Sequence, residues 1–121
     1  MALTFQTKIK TDLLNSWGAS KKIYIAGYDW LSGGYTKTCE GDFTLAATPA
    51  TNGKITYSTP INMVVGDDSA VGTIILCDAA PPSSFGDTDF PTSMLALESL
   101  QRETFTYGGT FRINRIEIEF V

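Results

Sequence analysis

The chain has 121 residues, of which 43% are apolar and 18% charged, with a formal net charge of −4. That length suits one domain with a core that needs no metal or disulfide staple, and the composition excludes a disordered chain. Its nine basic residues are scattered, which argues against nucleic-acid binding, and no apolar run nears the roughly 18–20 residues that span a bilayer.

The first residues are polar and charged, without the apolar core of a secretory signal, so folding in a cytosol is expected. Cys39 and Cys77 are then expected as free, buried thiols. Phe5, Ile9, Leu13 and Trp17 recur every fourth residue, with Leu14 beside them, and predict an amphipathic helix within residues 1–18. Thr4 is the candidate N-cap and Gly18 the stop. Two roles fit this helix: closing one end of a β core, or docking on a neighbouring subunit.

Residues 19–121 carry strand signals. Residues 22–26 alternate, and Ser32-Gly33-Gly34 marks a turn. Residues 42–45 form a short alternating run. Residues 48–53 form a loop holding the tight-turn pair Asn52-Gly53. Strands are predicted over 54–58 and 61–65, the second ended by Gly66-Asp67-Asp68. Residues 71–77 are the most apolar run and predict a central strand buried on both faces. A Pro/Gly/Asp/Ser-rich loop covers residues 79–91. Residues 94–100 fit a helix or a strand. Residues 104–107 lead to Gly108-Gly109, and two alternating runs of opposite phase follow. A bulge or turn near Asn114-Arg115 must absorb that slip, because a one-residue shift flips every side chain. The expected core includes Ile23, Ile25, Ile74, Leu76, Ile113, Ile116, Ile118 and Phe120. Seven or eight short strands suggest an antiparallel β-sandwich or barrel.

Histidine is absent, which removes Ser–His and Cys–His nucleophile pairs and histidine metal sites. The carboxylates sit mostly in or beside turns. Gly86-Asp87-Thr88-Asp89 lacks the distal glutamate of a calcium loop, and Gly33-Gly34 and Gly108-Gly109 lack the lysine of a phosphate loop. The expectation is no catalytic residue, no metal and no cofactor. Tyr28, Trp30 and Tyr35 flank a glycine-rich turn, where aromatics fill a core, anchor an interface or stack on sugars. Phe85 and Phe90 lie among prolines in the long loop. These five residues are the interface candidates.

The order of landmarks resembles that of small structural proteins of tailed bacteriophages, of tail-fibre or capsid-decoration type. The helix segment LTFQTKIKTDLLNSWG precedes KKIYIAGYD, then GYTK at residues 34–37, then KITYSTPINMVV. GTIILCDAA at residues 72–80 is the best match, and LQRETFTYGGTFRINRIEIEFV is similar to the family's close. The long loop over 81–91 and the stretch 41–51 depart from it. The resemblance implies a mainly β, sandwich or jelly-roll-like domain with one short N-terminal helix. It also implies a non-enzymatic virion component, assembled in the host cytoplasm from many copies. Its implied partners are capsid or tail subunits and copies of itself, a trimer being one such form, with no nucleic acid and no membrane. The alternative is a carbohydrate- or receptor-binding module built on Tyr28, Trp30 and Tyr35.

Overall fold

The computed structural model describes Thr4 and residues 6–119. The chain is mainly β: 62% of the described residues are strand, in antiparallel sheets, with one short N-terminal helix among them. The helix α1 spans Thr7–Gly18, and eight strands follow: β1 Lys22–Leu31, β2 Gly34–Thr44, β3 Ala50–Thr51, β4 Lys54–Tyr57, β5 Ile61–Cys77, β6 Ser84–Gly86, β7 Met94–Ile113 and β8 Ile116–Glu119. They form a five-stranded sheet ordered β6-β2-β1-β5-β7 and a three-stranded sheet ordered β3-β4-β8. The contacts separate into two compact units. One draws on residues 1–22, 44–60 and 113–121, the other on residues 23–43 and 61–112.

In the first unit, α1 docks on the β3–β4 hairpin. Asn52 (φ 53°) and Gly53 (φ 80°) make its turn, both left-handed as a two-residue hairpin loop requires. The helix meets this hairpin with polar side chains. Asn15 Oδ1 accepts the Ala50 N–H at 2.7 Å, and Thr11 Oγ1 accepts the Gly53 N–H at 2.7 Å. Leu14 and Gly18 are the buried helical residues. A Cβ on Gly18 would lie 3.1 Å from Ile55 Cδ1 and 3.2 Å from Leu45 Cδ1. The last helical residue is thus a glycine because the strands approach closely there. The left-handed step that follows a helix falls instead on Ser20 (φ 54°).

Two helical expectations are corrected. The N-cap is Gln6, with no side-chain cap, so Thr4 does not start the helix. Ile9, Leu13 and Trp17 are exposed, because the anchoring bonds of Thr11 and Asn15 turn the next stripe inward. Phe5 lies outside the described residues.

β8 pairs with β4 in register Ile55↔Ile118 and Tyr57↔Ile116. The phase slip at Asn114-Arg115 therefore coincides with a change of sheet. β7 belongs to the five-stranded sheet and β8 to the three-stranded one, and residues 114 and 115 are in neither. Ile113, Ile116 and Ile118 are half-buried rather than core, and Phe120 lies outside the described residues.

The second unit holds the strand expected to be central and buried on both faces; β5 is interior, next to the edge strand β7, with β1 in the middle of the five and one face of β5 only half-buried. β1 pairs with it as Tyr24↔Cys77, Ala26↔Ile75 and Tyr28↔Thr73. Of those positions Ala26, Tyr28, Thr73, Ile75 and Cys77 are buried and Tyr24 is half-buried. Ile75 and Cys77 are sealed, whereas Ile74 and Leu76 are half-buried, which corrects their placement in the deepest core. The opposite face of β1 carries Ile23 and Ile25, both sealed. Gly41 lets a second layer close down on it, since a Cβ there would lie 3.3 Å from both Ile61 Cγ2 and Met63 Cγ.

Two expected turns are not reversals. β5 runs unbroken through Gly66-Asp67-Asp68, and β7 through Gly108-Gly109. Asp68 has φ 54°, Gly108 φ 74° and Gly109 φ 157°. A Cβ on Gly108 would lie 3.0 Å from the Val65 carbonyl oxygen, so the two irregular points are neighbours. Left-handed residues placed opposite each other bend a ribbon as a bulge does, without ending it. Residues 94–100, open between helix and strand, are strand.

Cys39 and Cys77 are buried and unpaired, and burial pushes both thiols up from their ordinary value.

Candidate interaction surface

The interface candidates separate into buried and exposed residues. Tyr28 is completely buried, so its expected projection at a contact is corrected: it is a core residue. Its hydroxyl donates to the Pro82 carbonyl oxygen at 2.6 Å, which satisfies the one polar group that burial would otherwise strand. Burial pushes this phenol well above its ordinary value, with Cys77 and Glu40 adding to the effect.

The long loop is the lid on this face of the sheet. Its strand β6 pairs with β2 as Tyr35↔Phe85. The Phe85 ring stacks on Tyr35 with centroids 4.8 Å apart, and lies tilted against Tyr28 at 4.9 Å. Phe90 joins from the outside, 5.8 Å from Phe85 and 6.4 Å from Tyr35. Met94 and Leu97 pack on the same cluster from β7. Such tilted and offset ring pairs each add about 0.5–1.5 kcal/mol beyond area burial. Phe85 and Tyr35 therefore hold the loop to its own sheet, and Phe90 keeps 42% of its surface exposed.

Trp30 is the candidate that does project, 52% exposed beside the equally open Leu31. The turn beyond them is Ser32 (φ 53°) and Gly33 (φ 81°). Tyr28, Trp30 and Tyr35 accordingly share no exposed platform: one is sealed, one is under Phe85, and one is open. The acidic loop is a turn, with the Asp89 N–H donating to the Gly86 carbonyl and the Asp87 N–H to that of Gly33. Among the described residues, no group of three or more His, Cys, Asp or Glu is placed to hold a metal ion.

A long exposed strand was not among the candidates. β7 is the last strand of its sheet, so among the described residues one long side has no strand neighbour. It is 20 residues long, against about 5–6 for an ordinary strand. None of it is buried and 14 of its 20 residues are exposed, including Leu95, Leu100 and Tyr107. Proteins usually blunt such an edge by shortness, proline or charge. β7 contains no proline, and its charges are Glu98, Arg102, Glu103 and Arg112.

One of these charges is fixed from behind. Arg102 donates from Nε to Asp29 Oδ1 at 2.9 Å and from Nη2 to Asp29 Oδ2 at 3.0 Å. Asp29 is buried, and the paired guanidinium holds its carboxyl below the usual carboxylate range against the opposing effect of burial. The side chain runs beside Gly72 of β5 to reach β1, so it points away from the open side of β7. Sequence reading missed this strand because residues 94–100 fit two periods and the glycine pair hid its continuation. Comparison of the chain with family profiles, with curated proteins and with solved structures found no match.

Proposed function

We propose that this chain is a non-enzymatic structural component of a tailed bacteriophage particle. It is a small β subunit present in many copies and held in place by protein–protein contacts, as capsid decoration or as an accessory of the tail or fibre. The observation that carries the reading is the long open side of β7 with its exposed apolar residues. An edge of that length invites strand addition, and a subunit that exists to assemble has a use for it. The order of sequence landmarks supports the phage assignment. The lack of histidine supports binding over catalysis.

The test is direct. Purified particles of the encoding phage are analysed by quantitative mass spectrometry, and labelled antibody locates the chain by electron microscopy. Many copies per particle are expected, at regular positions. Absence from washed particles, together with a strictly monomeric chain in solution, overturns the proposal.

A further inference from the structure

We infer that copies of this chain join head to tail, the exposed stripe of α1 on one copy seated on the acidic, aromatic surface beside the long loop of the next. The inference rests on the reading of the chain as an assembly subunit and names one contact that such a subunit makes.

The helix supplies one half of the contact. Its polar face is taken up by the β3–β4 hairpin, which leaves Ile9 and Leu13 each 45% exposed and Trp17 36% exposed. These three recur every fourth residue and form a stripe about 12 Å long. Lys21 Nζ lies 5.0 Å from the centroid of the Trp17 ring, so a cation borders the stripe at its C-terminal end. An aromatic face attracts a cation without neutralising it. Lys8, at the other end, is already paired with Asp12.

The acidic unit supplies the other half. The two-residue turn Ser32-Gly33 sets Trp30 opposite Tyr35 on one face of the sheet, and Tyr35 lies opposite Phe85. Trp30, Tyr35 and Phe85 thus form a row across β1, β2 and β6, about 10 Å wide. Phe90 stands 6.4 Å from the same Tyr35 ring. Trp30 and Phe90 are the exposed members of this group. Asp87 and Asp89 border it, both exposed, and the Asp87 N–H bond to the Gly33 carbonyl ties them to the Trp30 hairpin. Neither carboxylate makes an ion pair among the described residues.

Charge chooses between the ways in which copies can meet. The unit drawn from residues 1–22, 44–60 and 113–121 holds six basic and three acidic side chains, a net of +3. The unit drawn from residues 23–43 and 61–112 holds three basic and ten acidic, a net of −7. An isologous contact puts each surface against its own copy, and so sets like net charges together. The head-to-tail contact joins opposite charges, which speeds encounter and disfavours the wrong pairing. It also sets a direction: Lys21 falls at Asp87 and Asp89, with Trp17 beside Phe90 and Ile9 toward Trp30. Clustered aromatic anchors carry most of the energy of such a contact, and Trp30 and Phe90 cluster on rings fixed from behind. Each copy keeps both surfaces, so the contact repeats, into a ring if the rotation closes and a filament if it does not.

The experiment uses the full chain. Light scattering across a concentration series is expected to show reversible self-association that weakens with added salt. Leu13→Glu disables the helix surface and Trp30→Ala the loop surface; both side chains are exposed, and unchanged urea midpoints check that each variant folds. Each variant alone should associate about ten-fold or more weakly. Mixed, the two should form a one-to-one pair of parental affinity, because one keeps the loop surface and the other the helix surface. No isologous contact gives that result. Asp87→Lys with Asp89→Lys repeats the loop test without touching a ring, and Tyr107→Ala, on an exposed ring outside this surface, should change nothing. Either single variant associating like the parent, a mixture that does not pair, association indifferent to salt, or a loss seen only with Tyr107→Ala overturns the inference. A chain that is monomeric at every concentration overturns this contact and, where purified particles contain it, leaves the assembly reading standing; absence from the particles as well removes both.

Discussion

Gly27 gives the sharpest test of how the second unit is packed. It lies on β1 between the sealed residues Ile25 and Asp29, and a Cβ built on it falls 2.6 Å from Cys39 Sγ and 3.0 Å from Val71 Cγ1. Carbon atoms pack at about 3.5–4.0 Å, so Gly27→Ala forces a shift of about 1 Å against a short buried side chain and a sealed β-branched one. Overpacking of that kind costs about 1–3 kcal/mol. The contact also predicts a coupling. Cys39→Ala alone removes one buried heavy atom and should cost about 1 kcal/mol. The same change vacates the space that the new methyl needs, so the double variant should be less destabilised than the two single changes together by about 1–2 kcal/mol. Urea titrations of the four proteins, followed by tryptophan fluorescence, measure this cycle. Strict additivity would show that Gly27 and Cys39 do not compete for one volume, and the close approach of β1 to β2 would have to be redrawn.

Three further outcomes follow from named contacts. Tyr28→Phe removes the 2.6 Å bond to the Pro82 carbonyl and should cost about 1–2 kcal/mol in urea denaturation; an unchanged midpoint would mean the loop is held by ring packing alone. The Asp29 carboxyl has a lowered pKa in the fold, so its stabilising contribution is fully present above its unfolded value near 3.9 and is lost as pH falls through the lower native value. The stability gap between the parent chain and Asp29→Asn should therefore close in acid, and a gap that stays constant from neutral pH into strong acid would contradict the pairing with Arg102. Ile75→Ala should cost about 2–5 kcal/mol and Leu76→Ala clearly less in the same urea titrations, because Ile75 is sealed and Leu76 half-buried; the reverse order would invert the register of β1 on β5.

What was legible in the sequence was punctuation. Asn52-Gly53 makes the tight hairpin that its chemistry demands, as does Ser32-Gly33, and the apolar run before Asp78 is an interior strand. The phase of that strand was not legible. Ile74-Ile75-Leu76-Cys77 offers an apolar side chain to either face, and alternation cannot rank two apolar phases. The cover decides, since Tyr35, Phe85, Met94 and Leu97 pack over the face that carries Ile75 and Cys77. Glycine pairs were ambiguous for a related reason. A left-handed backbone reverses the chain when two residues stand alone between strands, and only bends it when an irregular partner lies alongside. Gly108 has that partner in residues 65–67, which lie far away in sequence. The aromatic candidates failed or held on the same ground. Tyr28 and Trp30 are both even-numbered positions of one strand, yet the lid formed by Phe85 covers the first and not the second.

The helix shows why a correct period can point the wrong way. Ile9, Leu13 and Trp17 are spaced as a buried stripe should be, and the helix forms as expected over Thr7–Gly18. A helix in contact with a two-residue edge strand such as β3 faces backbone groups as well as apolar side chains. The N–H of Ala50 and the N–H of Gly53 both need acceptors, and a desolvated donor left unpaired costs about 1–3 kcal/mol. Asn15 and Thr11 supply the two acceptors at 2.7 Å each, and they stand one turn apart on a single face. Gly18 continues that face and admits Ile55 and Leu45, with Leu14 buried beside it. A half-exposed Ile or Leu forfeits only part of its transfer energy, about 1–1.5 kcal/mol each. Two satisfied donors and the close approach at Gly18 together outweigh that loss. The side chain that settles the rotation is thus a polar one, and hydrophobic periodicity assigns it no weight.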